Sequence, residues 1–195
     1  MKTIQLLTVA IIFAFISCNH GNVAKSQKTN FGIYETTQLK DVPIRVIDSL
    51  KKSITKFENN AESSIIGYVE GANLVDLDKQ IKNENFRLVK TFYTVDNEKK
   101  NYAIVAIKLK ATITNVDIQN TEVKGKDVFI YFNFEGAKKW AEMTKNNVGK
   151  TVAFLIDNQV YTLPTVMGEI KGGIAVITGL ENETTAKKVA ELLNN

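Results

Sequence analysis

The sequence predicts an α+β fold: a mixed or antiparallel sheet with packed helices. Three observations carry this reading. Period-two alternation over Tyr102–Thr114 sets Ile107, Leu109, Ala111 and Ile113 against Lys108, Lys110, Thr112 and Thr114, a strand with a dry side and a wet side. Apolar residues recur at helical spacing in three separated segments. From Val128 onward the elements run β-α-β-β-β-α, the order of an α+β domain.

Taken in order, the chain opens on an export signal over residues 1–17. Met1-Lys2 gives a short positive start, and Ile4–Ile16 is an apolar run interrupted by Gln5 and Thr8. Crossing a bilayer as a helix takes about 20 apolar residues, so this shorter run has the length of a signal-peptide core. Phe15-Ile16-Ser17-Cys18 then resembles the lipobox of bacterial lipoproteins, with Phe15 standing where Leu is usual. The resemblance implies cleavage before Cys18 and a thioether from its thiol to diacylglycerol. Acyl chains contribute about 0.8 kcal/mol per buried methylene, enough for two or three of them to hold a protein on a membrane. The alternative is an ordinary signal peptide with an incidental cysteine. Residues 18–30 are polar and aperiodic and read as a flexible tether.

The region 31–101 reads as α+β. Phe31–Thr37 is a strand. Asp41 precedes Val42-Pro43, a helix start, after which Ile44, Ile47, Leu50, Ile54 and Phe57 share the face of a helix of about four turns. Ser64–Glu70 is a strand, Leu74–Ile81 a short helix, Phe86–Val95 a strand and Asp96–Asn101 a polar turn, so that Phe86–Val95 and Tyr102–Thr114 pair as an antiparallel hairpin.

The region 102–195 continues with Val128–Phe132, a strand with so little polar relief that both faces are expected to be buried. Glu135-Gly136 opens a helix whose face holds Ala137, Trp140, Ala141 and Thr144. Trp140, the single tryptophan, reads as a core anchor, and Asn146-Asn147-Val148-Gly149 closes the helix. Thr151–Ile156 is a strand, Asp157-Asn158 a two-residue turn tolerant of positive φ, and Val160-Tyr161 the return. Pro164 makes that return an edge strand or bends it. Gly172-Gly173 is a turn before the strand Ile174–Thr178. Asn182–Thr184 caps a last helix with Ala186, Val189, Ala190 and Leu193 in one stripe.

Chemistry is sparse. Lys and Arg total 25 against 21 Asp and Glu, a net +4, and they intermix along the chain. Only Arg45 and Arg87 are arginine, few for bidentate phosphate recognition; nucleic acid is not an expected partner. His20 is the sole histidine and lies in the tether, which removes His-based triads and His metal clusters. Cys18 is committed to lipid, so no thiol nucleophile remains. Asp76 and Asp78 lack the spacing of a calcium loop. Glu135, Glu142 and Asp157 read as surface carboxylates, and Gly172-Gly173 lacks the context of a phosphate loop. No catalytic residue, metal site or cofactor is expected.

The stretch VFIYFNFEGAKKWAEMTKNNVGKTVAFLIDNQVYTLPTVMGEIKGGIAVITG resembles the head of the first periplasmic domain of SecD, the protein-export subunit also found as SecDF. Phe132-Asn133, Glu135-Gly136-Ala137, Gly149-Lys150, Asp157, Val160, Pro164, Ile170, Gly172-Gly173 and Gly179 fall in register with that family over about 65 residues. Asn158 replaces a Gly, Glu169 a Pro and Leu163 an Ala. The resemblance covers the soluble head and none of the membrane-spanning helices, and only the FGIYET strand relates 31–101 to the base of the same domain. It implies a non-catalytic protein of the bacterial cell envelope, lipid-anchored on the periplasmic side or in the outer membrane, that binds a polypeptide or protein partner in export or envelope assembly. The exposed strand edges and the loop Tyr161–Gly173, with Tyr161, Pro164, Gly172 and Gly173, form the expected partner-binding face, suited to strand addition. The competing reading is an envelope binding or scaffold lipoprotein unrelated to export.

Overall fold

The computed structural model describes residues 29–70, 81, 84–93 and 101–194. The leader, Cys18, the helix expected over Leu74–Ile81 (Ile81 apart) and most of the turn expected over Asp96–Asn101 lie outside them. Among the described residues, no helix is long and apolar enough to cross a membrane.

The strand β1 (Phe31–Glu35) pairs antiparallel with β9 (Val152–Ile156), from Phe31↔Ile156 to Glu35↔Val152. After β9 the chain reverses at Asp157 (φ 48°) and Asn158 (φ 65°), residue types that tolerate the left-handed region. It returns as β10 (Gln159–Thr162). A parallel pair, Val160↔Thr91, joins β10 to β4 (Phe86–Tyr93). The expected antiparallel hairpin links β4 to β5 (Asn101–Lys108), Phe86↔Lys108 through Tyr93↔Asn101. Beyond β5 lie β3 (Ile65–Glu70) and β2 (Lys56–Phe57), and beyond β1 lies β6 (Ile113–Thr114), so the order is β2-β3-β5-β4-β10-β9-β1-β6.

This sheet curls until its strands meet again. Thr36 bridges Ile107, and the Thr37 N–H donates to the Ala106 carbonyl at 2.9 Å. The strands β5, β4, β10, β9 and β1 thus form a ring in which each has two neighbours, which removes the hazard of a free edge. Tyr34, Val105, Ile107, Ala153 and Leu155 are buried together on one side of these strands. On the opposite side of β3, β5 and β4, the short helix α1 (Ile44–Leu50) packs Val46 and Leu50 against Ile66, Ile104 and Leu88. The ring draws strands from both sides of the 101/102 boundary.

A second sheet, β11-β8-β7, is built from β7 (Ile118–Lys124), β8 (Asp127–Phe132) and β11 (Ile174–Ile177). The helices α2 (Phe134–Asn146) and α3 (Glu183–Asn194) join it in a core with the free faces of β1 and β9. Here Val128, Ile130 and Phe132 meet Trp140, Met143, Phe154 and the full expected stripe Ala186, Val189, Ala190 and Leu193. Seven of the twelve largest fully buried side chains belong to this core. Each contributes about 1.5–3 kcal/mol by burial, so stability is concentrated here. Because β9 has the ring on one side and the helices on the other, all five of its residues are buried.

The α+β class agrees with the sequence, and several elements differ. The first helix has two turns instead of four. Ser53-Ile54-Thr55 is rich in β-branched residues, and Lys56-Phe57 pairs with β3 instead. Ile44 is therefore 74% exposed, and Val46 takes its place in the core. The long strand Tyr102–Thr114 breaks after Lys108, opposite the first residue of β4, and resumes as β6 on β1; Leu109 is left in solvent. The strand β8 is buried on alternate residues rather than on both faces, because helices cover one side of its three-stranded sheet. Pro164 bends the chain, but β10 is no edge: it has β9 on one side and β4 on the other.

Four exposed or half-exposed carboxylates are held below their ordinary pKa, from which loss of stability in acid is expected. The backbone N–H groups of Asn60 and Asn59 hold Glu58 below its ordinary value of 4.5. Lys40 does the same for Glu62, the Tyr131 hydroxyl and Lys124 for Glu122, and Lys187 for Glu183. A carboxylate depressed on folding stabilises above its unfolded pKa, and that contribution is lost as pH falls through the folded value. The melting temperature should therefore be level from neutrality to about pH 5, near the ordinary carboxylate range, and fall below it. Thermal scans by circular dichroism across that range check the sign; a melting temperature that rises on acidification would contradict it.

Candidate partner-binding face

The segment after β10 is strapped to the domain at four places. The Val152 N–H donates to the Pro164 carbonyl at 3.0 Å, and Thr151 bridges Thr165. Gly149 N–H donates to the Val166 carbonyl at 2.8 Å, while Val166 N–H donates to Lys150 at 2.9 Å. Val166 is itself buried. The Ile170 N–H donates at 2.9 Å to the Thr144 hydroxyl, which in turn donates into α2 at the Trp140 and Ala141 carbonyls. Finally Gly173, at φ 64°, lies so near α2 that a Cβ would stand 2.9 Å from that of Ala137. The strap thus runs back along α2, from its last turn to its first.

This geometry sorts the residues that the sequence singled out. Tyr161 packs partly into the main core, and Pro164 is half-buried over the start of β9. Gly173 is buried; Gly172 is exposed with open space around it. The side chains that the strap presents to solvent are others: Met167 is 86% exposed and Ile170 follows it, with Val148 from the end of α2 beside Met167; Ile174 is also exposed, but on the open face of the small sheet, where it pairs with Tyr131. Sequence reasoning missed this row, since its members are scattered apolar residues with no local period. The edge of β11 is partly guarded. Ladder pairing turns Ala175 and Ile177 toward β8 and Ile174 and Val176 away, but the Trp140 indole N–H caps the Ile174 carbonyl at 3.1 Å.

On the open face of the small sheet, the Tyr131 hydroxyl donates to Glu122 at 2.7 Å and Lys124 lies 4.7 Å over the Phe129 ring. The carboxylate raises the pKa of both Tyr131 and Lys124. These are self-satisfied surface contacts. Among the described residues, no group of three or more His, Cys, Asp or Glu is placed to hold a metal ion.

The family model for the SecDF P1 head subdomain matches residues 89–195, from within β4 to the C-terminal residue given. The chain belongs to the SecDF P1 head family. The SecD subunit of the protein translocase of Rhodothermus marinus is 36% identical over 83 residues, covering 43% of this chain and 13% of that relative. SecDF of Thermus thermophilus is 43% identical over 68 residues, 35% of this chain and 9% of the relative. SecD of Rickettsia felis is 32% identical over 135 residues, 69% of this chain and 24% of the relative. Each alignment therefore spans a quarter or less of those translocase subunits. Among solved structures, a crystal structure of SecDF in its super-membrane-facing form covers 86% of this chain and 19% of its own, at 21% identity and a TM-score of 0.48. Beyond the matched segment, β1 completes the strand ring from residues 31–35.

Proposed function

We propose that this protein is a lipid-anchored, non-catalytic component of the bacterial cell envelope whose SecDF-type head binds an extended polypeptide or protein partner in protein export. The relatives that share the head are protein translocase subunits, and the row Val148, Met167 and Ile170 supplies an apolar contact surface beside the Tyr161–Gly173 strap. That row is the observation on which the binding reading rests. Fixed strap hydrogen bonds keep it in place before a partner arrives, which lowers the ordering cost of binding. Tyr161, Pro164 and Gly173 act as supports of the face, and Gly172 lies on it. Anchoring follows from Cys18 and from the export signal before it.

Photo-crosslinking in intact cells tests this reading, with the reactive group at Met167 or Ile170. Translocon subunits or exported chains should be captured. The paired change Met167→Asp and Ile170→Asp should cut the yield by about tenfold or more, since each apolar contact is worth 1.4 kcal/mol or so when buried, while the melting temperature stays put. Capture of an unrelated envelope protein would favour a scaffold role instead. Undiminished capture by the folded double variant would show that this face is not the binding face.

A further inference from the structure

The chain enters the described fold at Thr29 and Asn30, which line one shallow cavity with Thr114, Asn115 and Val116. The Phe31 N–H donates to the Asn115 side chain at 2.9 Å, fixing this entry point against the 3-10 turn Asn115–Asp117. The start of α2 is held to the same turn. Asn133 Nδ2 donates to the Val116 carbonyl at 2.8 Å, and the Asn133 N–H donates to the Asp117 carbonyl at 2.9 Å. Two large apolar side chains stand in solvent at this end: Phe134 at 74% exposure and Val116 at 70%. Single exposed apolar residues are ordinary. A pair beside the point from which the chain runs back to Cys18 is more informative.

The length of that run limits how far this end can stand from a lipid on Cys18. From Cys18 to Thr29 is eleven residues, at most about 40 Å fully extended. An acylated Cys18 therefore keeps the Phe134 end in the bilayer's neighbourhood at all times. Under such confinement a modest apolar contact is decisive, because the second binding event is intramolecular. Burying one Phe-sized side chain shifts the docked population by roughly tenfold to a hundredfold. The charges nearby are matched. Lys138 lies 4.0 Å over the Phe134 ring and pairs with Glu135 at 3.3 Å, and Lys139 pairs with Asp117 at 2.6 Å. Among the described residues, these pairs leave no cationic excess to select anionic headgroups. An exposed aromatic with a lysine stem laid across it suits the boundary between headgroups and acyl chains.

We infer that Phe134 and Val116 form a membrane-docking face, seated on the phospholipid surface that holds the lipid anchor. The inference rests on the acylation of Cys18 proposed above. Docking would fix the orientation of α2, setting Gly173 near its membrane end and the Val148–Met167 contact surface at the other, about 20 Å along a helix of this length.

The full-length protein, purified with its lipid and reconstituted in phosphatidylethanolamine–phosphatidylglycerol vesicles, is spin-labelled in turn as Phe134→Cys, Val116→Cys and Lys126→Cys. Lys126 is exposed in the turn at the opposite end of β8 and serves as the water reference. Labels at 134 and 116 should be relaxed more by oxygen than by a water-soluble nickel chelate, with the reverse at 126, and little change with added salt. Cys18 reports on its own state, because a thioether takes up no label. Labelling of the otherwise native protein at Cys18 would overturn the anchor and the docking face with it. An unlabelled Cys18 with positions 134 and 116 as wet as 126 would overturn the docking face alone.

Discussion

Trp140→Ala is expected to lower the free energy of unfolding by about 4 kcal/mol, the range for a large aromatic removed from a packed core. Trp140 is 3% exposed. Its indole meets Phe132 at 5.8 Å and Phe154 edge-on at 6.1 Å, so it joins the small sheet to the strand ring. Truncation also leaves the Ile174 carbonyl without the indole N–H that caps it, an added cost when such a group is buried. Since whole domains are stable by only about 5–15 kcal/mol, the variant should be close to unfolding at physiological temperature. Urea titration followed by far-UV circular dichroism measures this, since the substitution removes the fluorophore. Trp140→Phe separates the two contributions: it keeps most of the ring packing and loses the hydrogen bond, and should cost about 1–3 kcal/mol. A Trp140→Ala variant within 1 kcal/mol of the native protein would mean that α2 is not the joint between the two sheets.

How much of this joint was legible depended on whether its signal was local. Ala186, Val189, Ala190 and Leu193 keep helical spacing and are all buried as expected. Asp157-Asn158 adopts positive φ because those side chains tolerate it, whatever surrounds them. Other elements depend on pairing partners distant in sequence. The strand β7, IQNTEVK, was not foreseen because its residues are mostly polar and just one side of it is covered. The break after Lys108 follows from where β4 begins at Phe86, information absent from the alternating segment itself. The same holds for Lys56-Phe57, which fitted a helical pattern but pairs with Tyr68 and Gly67.

The family was legible for a different reason: many matched residues in one order need no tertiary knowledge, and the family model covers the same segment. The proposed binding face is less legible. Pro164 and Gly173 stand out in the sequence through turn chemistry, and Tyr161 through its place at the start of the return strand. Those properties are what a fixed strap needs, so two of them are half-buried and Gly173 is buried. Exposure of Met167 and Phe134 is a tertiary fact, invisible to any local pattern.

Gly136→Ala is expected to destabilise by about 2–3 kcal/mol, against the usual gain of roughly 1 kcal/mol when Ala replaces Gly inside a helix. Gly136 lies in the first turn of α2, where its N–H donates to the capping Asn133 side chain at 2.9 Å. A Cβ there would overlap the Asp117 carbonyl oxygen and stand 2.9 Å from the Asp117 Cβ. The sign depends on whether Asp117 can yield, and it is held on every side. Its carbonyl accepts from Asn133 N–H at 2.9 Å, one carboxylate oxygen accepts from Thr114 N–H at 2.9 Å, and the other meets Lys139 at 2.6 Å. Relieving the overlap means moving α2 off the turn or releasing these bonds from a residue 3% exposed. Urea unfolding of Gly136→Ala, beside the difference between Lys138→Gly and Lys138→Ala at an exposed site on the same helix, isolates the contact from helix propensity. Should Gly136→Ala prove as stable as the native protein, the 3-10 turn gives way easily. A joint so soft could not hold Phe134 and Val116 as one surface.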